Sequence, residues 1–222
     1  CSLEPEEGEH QAEAFLARHD NFAKAAIDTA LLPEGITPTD GYVRTLPGML
    51  ADKGVITLIQ AYSLATTRGV KLQLLLAGGT DRENPGSLAP EQLREFASAF
   101  GIRWLGHVAD IREVWEKAHI AVLASRREGL PKSLLEAAAC GRPMIATDTP
   151  GCREIAIRDE TALTFPVDNA EALAEALTRM AGDAEMRARF GKDARALVEA
   201  KFSAEAIGKE TLALYRSLVP PR

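Results

Sequence analysis

The 222 residues carry 26 Lys and Arg against 32 Asp and Glu, a formal charge of −6, and 46% of them are hydrophobic. That composition folds around an apolar core and excludes disorder. The acidic balance excludes a nucleic-acid backbone or an anionic membrane surface as the main partner, because either requires clustered positive charge. At about 150 residues per domain, the length predicts one large domain or one and a half.

The three cysteines, Cys1, Cys140 and Cys152, are odd in number and form no C-x-x-C spacing, so they read as reduced thiols of a cytoplasmic protein. The histidines His10, His19, His107 and His119 include no i, i+4 pair, and no metal site is expected from them. No apolar run approaches the ~18 residues of a membrane span, and the acidic start is unlike the basic end of a signal peptide. The sequence begins at Cys1 instead of Met, from which it is expected to be a piece of something longer.

Residues 1–40 differ from the rest: an acidic opening, a helical stretch with Ala12, Phe15, Leu16 and Phe22, then a turn-rich run whose Pro33, Gly35, Pro38 and Gly41 mark the boundary of the main domain. Beyond it, a helix over Lys53 to Thr67 places Val55, Leu58, Ile59 and Tyr62 on one face, and Gly69 stops it. Strands are predicted at Lys71 to Ala77, Ile102 to Leu105, Ile120 to Ala124, Pro143 to Thr147 and Ala162 to Phe165, separated by segments of helical period. Ile120 to Ala124 is apolar at every position, the pattern of a central parallel strand buried on both faces. The fold class is therefore α/β, a doubly wound, Rossmann-like parallel sheet flanked by helices. From Ala170 three helices follow with no strand between them: one through Leu173, Leu177 and Met180, one through Met186 and Phe190 before Gly191, and one after Ser203, the expected N-cap, through Ile207, Leu214 and Leu218. They are expected on the sheet's edge or reaching for another domain.

The segment Ser125 to Gly141 follows the apolar strand directly. In open α/β sheets, ligands bind at the carboxyl ends of strands, where loops and helix N-termini expose backbone N–H groups. Gly129 permits close backbone approach, Pro131 suits a helix start, and the N–H groups around Lys132 and Ser133 suit an anion. Glu128 and Glu136 flank the turn, and carboxylates accept hydrogen bonds from paired sugar hydroxyls. Taken alone, Lys132 and Glu136 also fit an exposed i, i+4 helix pair, and Glu128 a solvated loop charge.

Several stretches in order resemble the donor-binding, C-terminal domain of the glycosyltransferase family 4 (group 1) enzymes, which have the GT-B fold. These are Leu50 to Val55 (a basic loop), Leu74 to Gly79 (a strand and glycine turn), Trp104 to Val108 (a base-contacting loop), the E-x7-E of Glu128 to Glu136, and Ala146 to Glu154. The resemblance covers the chain from about Ile27 onward. It implies a remnant of the acceptor domain and linker over 1–40, a nucleotide-sugar domain over 41–202, and a terminal helix over 203–222 that would cross back to the first domain.

The resemblance also assigns residues. Lys53 would meet the diphosphate, and Glu128 the donor sugar's hydroxyls; these two would carry the catalysis. Gly48 would belong to the basic loop, His107 and Val108 would offer backbone groups to the base, Gly129, Leu130, Pro131, Lys132 and Ser133 would hold sugar and phosphate, and Glu136 would take the ribose. Lys53 also reads as a plain helix-start lysine and His107 as a polar loop residue. No metal and no cofactor beyond the nucleotide sugar, preferably UDP-linked, is implied.

One position departs from the family. Where an arginine usually precedes the lysine by a few residues, this chain has Pro47 and Gly48, and Arg44 lies too early to replace it. The implied full-length protein is a retaining hexosyltransferase of bacterial cell-surface polysaccharide synthesis, working in the cytoplasm at the inner face of the membrane. This chain alone is expected to be inactive. Its partners would be a nucleotide sugar and, through the missing domain, a glycan or lipid-linked acceptor and the membrane periphery, with a homodimer plausible from the bared face. The competing reading is an inactive nucleotide-sugar-binding or interaction module, a fragment or degenerate paralogue; a GT-B epimerase or phosphorylase relative is a weaker third. The cysteines Cys140 and Cys152 read as buried packing, as do Trp104 and Trp115.

Overall fold

The computed structural model describes residues 37–39, 42–44, 51–80 and 87–218. A short antiparallel hairpin, β1 (Thr37–Thr39) with β2 (Tyr42–Arg44), precedes the main sheet. The pairing there is all parallel and falls into two hydrogen-bonded sets among the described residues: β3 (Leu75–Ala77) with β4 (Arg103–Gly106), and β5 (Ala121–Leu123) with β6 (Met144–Thr147), which pairs with β7 (Ala162–Phe165). Helices fill the intervals: α1 (Val55–Thr67), α2 (Pro90–Phe100), α3 (Arg112–Lys117), α4 (Lys132–Ala139) and the single turn α5 (Pro150–Arg153). Then come α6 (Ala170–Gly182), α7 (Ala184–Lys201) and α8 (Ala204–Leu218).

The winding follows from the side-chain period of β6. All four of its residues are buried, and alternate residues point to opposite faces. Ile145 enters one apolar cluster with Leu58 and Ile59 of α1 and Leu173 and Leu177 of α6. Met144 and Ala146 enter a second with Leu134 and Ala137 of α4 and Ala194 and Val198 of α7. The strand β7 divides likewise, Leu163 and Phe165 to the first cluster and Ala162 to the second. Helices thus cover both faces, as the alternation of elements predicts.

Three expectations are corrected. The run Ile120 to Ala124 is not buried throughout: Val122 and Leu123 are only half-buried, because among the described residues β5 has a hydrogen-bonded neighbour on one side only, β6. The helix α6 lies on a face of the sheet, not on its edge, because its apolar stripe, Leu173, Leu177 and Met180, is wide enough to enter the core, whereas α7 joins both clusters, Phe190 the first and Ala194 and Val198 the second. Gly191 does not end a helix. It lies inside α7, where a Cβ would sit 2.2 Å from the carbonyl oxygen of Gly141, so the glycine lets two backbones touch.

Ser203 does cap α8, its Oγ accepting from the Ala206 N–H at 3.2 Å. No residue of α8 is buried, and Ile207, Leu214, Tyr215 and Leu218 are exposed, so the face is bare as expected. The helical stretch within 1–40, and Pro47 and Gly48, lie outside the described residues. No described helix is long and apolar enough to cross a membrane.

Candidate functional site

Four loops meet at the carboxyl end of β5 and its neighbours. The first is a single 3-10 turn, Ala51–Lys53, leading to Gly54. Gly54 has φ +66, and a Cβ there would lie 2.0 Å from the carbonyl oxygen of Ala124. Only glycine satisfies both the left-handed backbone and that approach, so the lysine turn is pressed onto the end of β5. The second loop, residues 125–131, leaves β5 and is held at its root: Thr147 Oγ1 donates to the Ser125 carbonyl at 2.6 Å, and the Arg126 N–H donates to the Asp52 carbonyl at 2.8 Å. From the third, after β6, Gly151 in the first turn of α5 abuts the same backbone, since its Cβ would lie 2.2 Å from the Glu128 oxygen and 2.3 Å from that of Gly129. The fourth, after β7, contributes Asp168, a non-glycine residue at φ +58.

These constraints bring Lys53 and Glu128 together across 75 positions of sequence, Nζ to Oε1 at 2.8 Å. The carboxylate is 12% exposed and the lysine side chain 41%, so the pair forms a part-buried floor with its cationic side reaching solvent. Gly129 and Leu130 are exposed beside it. Pro131 is buried and accepts the N–H groups of Leu134 and Leu135, which starts α4 at Lys132. The amide end of α4, with Lys132 and Ser133, therefore sits at the Glu128 end of the sheet, and it carries partial positive charge. Glu136 lies one turn further on, half-buried, on the same stripe as Lys132.

Beneath the pair lies Cys152, 1% exposed, its Sγ 3.9 Å from Thr147 Oγ1. Burial pushes this thiol above its ordinary range, and the Glu128 charge adds to that against the opposing hydroxyls of Thr149 and Thr147 and the Lys53 charge. Buried packing is thus correct for Cys152, whereas Cys140, just beyond α4, is half-exposed; a helix C-cap leaves the core as the helix ends. Beside the site, Asp148 is held below its usual range by Arg153, with a hydrogen bond at 2.6 Å, and by Arg158.

His107 and Val108 belong to a second cluster of loops, after β3 and β4. There the Gly78 N–H donates to the Gly106 carbonyl at 2.7 Å and Trp104 Nε1 donates to the Gly78 carbonyl at 2.9 Å. His107 is exposed; Val108 is half-buried and lines a recess with Leu75, Leu105 and Val114. Trp104 packs on the first apolar cluster and Trp115 on the second, as expected of them. Gly48 falls outside the described residues.

Arg126, Arg127, Asp52, Asp168 and Gly151 escape notice in the sequence. Only Gly151, following Thr149 and Pro150, carries a visible turn signal; the ion pairs join residues far apart in the chain.

Chemically, an ammonium group and a carboxylate held at the amide end of a helix suit a ligand with anionic and hydroxylic parts. Comparison with known proteins points the same way. Residues 41–183 match the sequence model of the family described as glycosyl transferases group 1. The capsular polysaccharide biosynthesis glycosyltransferase CapM of Staphylococcus aureus is 26% identical over 81% of this chain and 46% of its own. The N,N'-diacetylbacillosaminyl-diphospho-undecaprenol alpha-1,3-N-acetylgalactosaminyltransferase of Campylobacter jejuni is 32% identical over 71% of this chain and 40% of its own. Among solved structures, sucrose-phosphate synthase from Thermosynechococcus elongatus superposes with a TM-score of 0.67 at 29% identity, covering 78% of this chain and 44% of that one. HepE from Anabaena, in complex with UDP, shares the fold with a TM-score of 0.68 at 20% identity, over 78% of this chain and 47% of that one. The chain spans less than half the length of these relatives.

Proposed function

The chain belongs to the group 1 glycosyl transferases, and from that membership we propose that it is the donor half of a retaining, metal-independent enzyme of cell-surface polysaccharide synthesis, moving a hexose or N-acetylhexosamine from a UDP-sugar to a glycan or lipid-linked acceptor. The observation that carries this reading is the 2.8 Å contact between Lys53 and Glu128, two residues whose suggested roles require them at one ligand. Lys53 offsets charge on the departing diphosphate. Glu128 accepts hydrogen bonds from the sugar hydroxyls, and the amide end of α4, from Gly129 through Ser133, receives phosphate. Glu136, one turn along, takes the ribose hydroxyls, and His107 and Val108 border the base. The UDP preference is supported by the UDP complex of HepE, and the N-acetylhexosamine by the name of the Campylobacter relative. The acceptor and any membrane contact at the cytoplasmic face would lie with the half of the relatives that this chain does not span.

Isothermal titration of the chain with UDP, GDP, ADP and matching UDP-sugars, with and without divalent metal, tests the reading. Metal-indifferent binding of UDP that is weakened by Glu128→Ala and by Glu136→Ala is expected. Binding unchanged in both variants would refute the site. A folded chain that binds no nucleotide would favour the interaction module instead, a reading supported by Pro47 and Gly48 where an arginine is usual and by the exposed apolar residues of α8.

A further inference from the structure

Three of the loops around Glu128 converge on one guanidinium. Arg126 Nε lies 2.9 Å from each carboxylate oxygen of Asp168, in the loop after β7, and its Nη1 lies 3.8 Å from Asp52 Oδ1. Its backbone N–H is bonded to the Asp52 carbonyl at 2.8 Å. Arg127 adds a second link to the Asp52 carboxylate at 3.1 Å. Asp52 immediately precedes Lys53, and Arg126 stands two residues before Glu128. We propose that Arg126 is a positioning residue of the donor site: spanning Asp168 and Asp52, it clamps the Glu128 loop onto the lysine turn and holds the two charged groups in register.

Three observations favour this over an ordinary surface ion pair. A planar guanidinium presents donors on two sides, so it can address two carboxylates at once, which an ammonium on a flexible stem does poorly. Asp168 is held at φ +58, a conformation that aspartate tolerates better than most residues but that persists when its surroundings determine it. The Arg126 and Asp168 side chains are 48% and 46% exposed, so the pair adds little to global stability. Its consequence is local, because a site loosened by about 1 Å loses most of its preference for the productive arrangement.

The inference rests on the donor-site reading for its effect on ligand, but its structural part is measurable without ligand. In the 222-residue chain, Arg126→Gln, Asp168→Asn and the double variant are compared by hydrogen exchange, thermal unfolding and titration with UDP. Asparagine also tolerates the left-handed backbone, so Asp168→Asn removes the charge with little strain. Each single variant should speed exchange in both 51–54 and 125–131, leave the melting temperature within a few degrees, and weaken UDP about tenfold, the double variant being no worse than either single. Asp168→Glu should recover part of the affinity. Unchanged exchange in the two segments overturns the clamp, as does loosening that leaves UDP affinity intact. Additive losses in the double variant would mean that Arg126 meets the ligand itself, which also overturns it. If the parent chain binds no UDP, the donor reading fails and the exchange rates alone decide the clamp.

Discussion

Gly151→Ala isolates the packing that places Glu128. Its backbone needs no left-handed conformation, so the added methyl acts through space alone, 2.2 Å from the Glu128 carbonyl oxygen and 2.3 Å from that of Gly129. Carbon and carbonyl oxygen settle no closer than roughly 3.3 Å, which requires a separation of about 1 Å between the two loops. If the Glu128 loop takes most of that shift, the 2.8 Å contact to Lys53 opens beyond hydrogen-bond range. Overpacking of this kind costs about 1–3 kcal/mol, or a fall of roughly 2–12 °C in melting temperature at this chain length. With the two charged groups displaced by about 1 Å from a shared ligand, UDP affinity should fall roughly tenfold or more. Scanning calorimetry and titration on the same preparation read both. A variant as stable as the parent and with equal affinity would refute the close approach of the two loops and the dependence of the site on it.

Two other glycines inside helices should respond in opposite directions. Gly191→Ala in α7 would place its Cβ 2.2 Å from the Gly141 oxygen and should destabilise by about 1–3 kcal/mol; Gly208→Ala in α8 meets nothing within 4 Å and should stabilise by about 0.4–1 kcal/mol, both read by urea unfolding. Iodoacetamide at pH 8, followed by mass spectrometry, should label the half-exposed Cys140 and spare Cys152 in the folded chain. The raised Cys152 pKa means that the folded state keeps its proton longer than the unfolded one. Its contribution is therefore complete below the ordinary thiol range and is lost as pH rises through the folded value, so Cys152→Ala should flatten the alkaline decline in the urea midpoint above about pH 8.5. Replacing Leu214, 57% exposed, by Glu should leave the stability of this chain to urea within about 0.5 kcal/mol of the parent's, whereas a large loss would show α8 to be packed.

Local patterns carried most of the architecture. The 3.6-residue spacing of Leu173, Leu177 and Met180 made α6 legible, and the turn and Ser203 cap made the start of α8 legible, because these signals depend on neighbours in sequence. The apolar run Ile120 to Ala124 was legible as a strand but not in its burial: whether Val122 and Leu123 are covered depends on what lies alongside β5, which no local pattern records. Gly191 was misread as a stop for the same reason, since its need for no side chain arises from Gly141, 50 positions earlier.

The candidate site divides along the same line. Residue type and spacing were enough to single out Glu128 and Glu136, because carboxylates flanking a turn at a strand end advertise their chemistry, whereas Lys53 was assigned through the family resemblance. Their meeting was not contained in the spacing. Lys53 reaches Glu128 because Gly54 lets its turn settle on Ala124, because Gly151 leaves room for the Glu128 backbone, and because Arg126 ties Asp52 to Asp168. The sequence by itself determined the parallel α/β scaffold and the chemical groups at its strand ends, through periodicities that act over a few residues. Tertiary structure alone decided which of those groups touch, because contacts between loops depend on the packing of elements tens of residues apart.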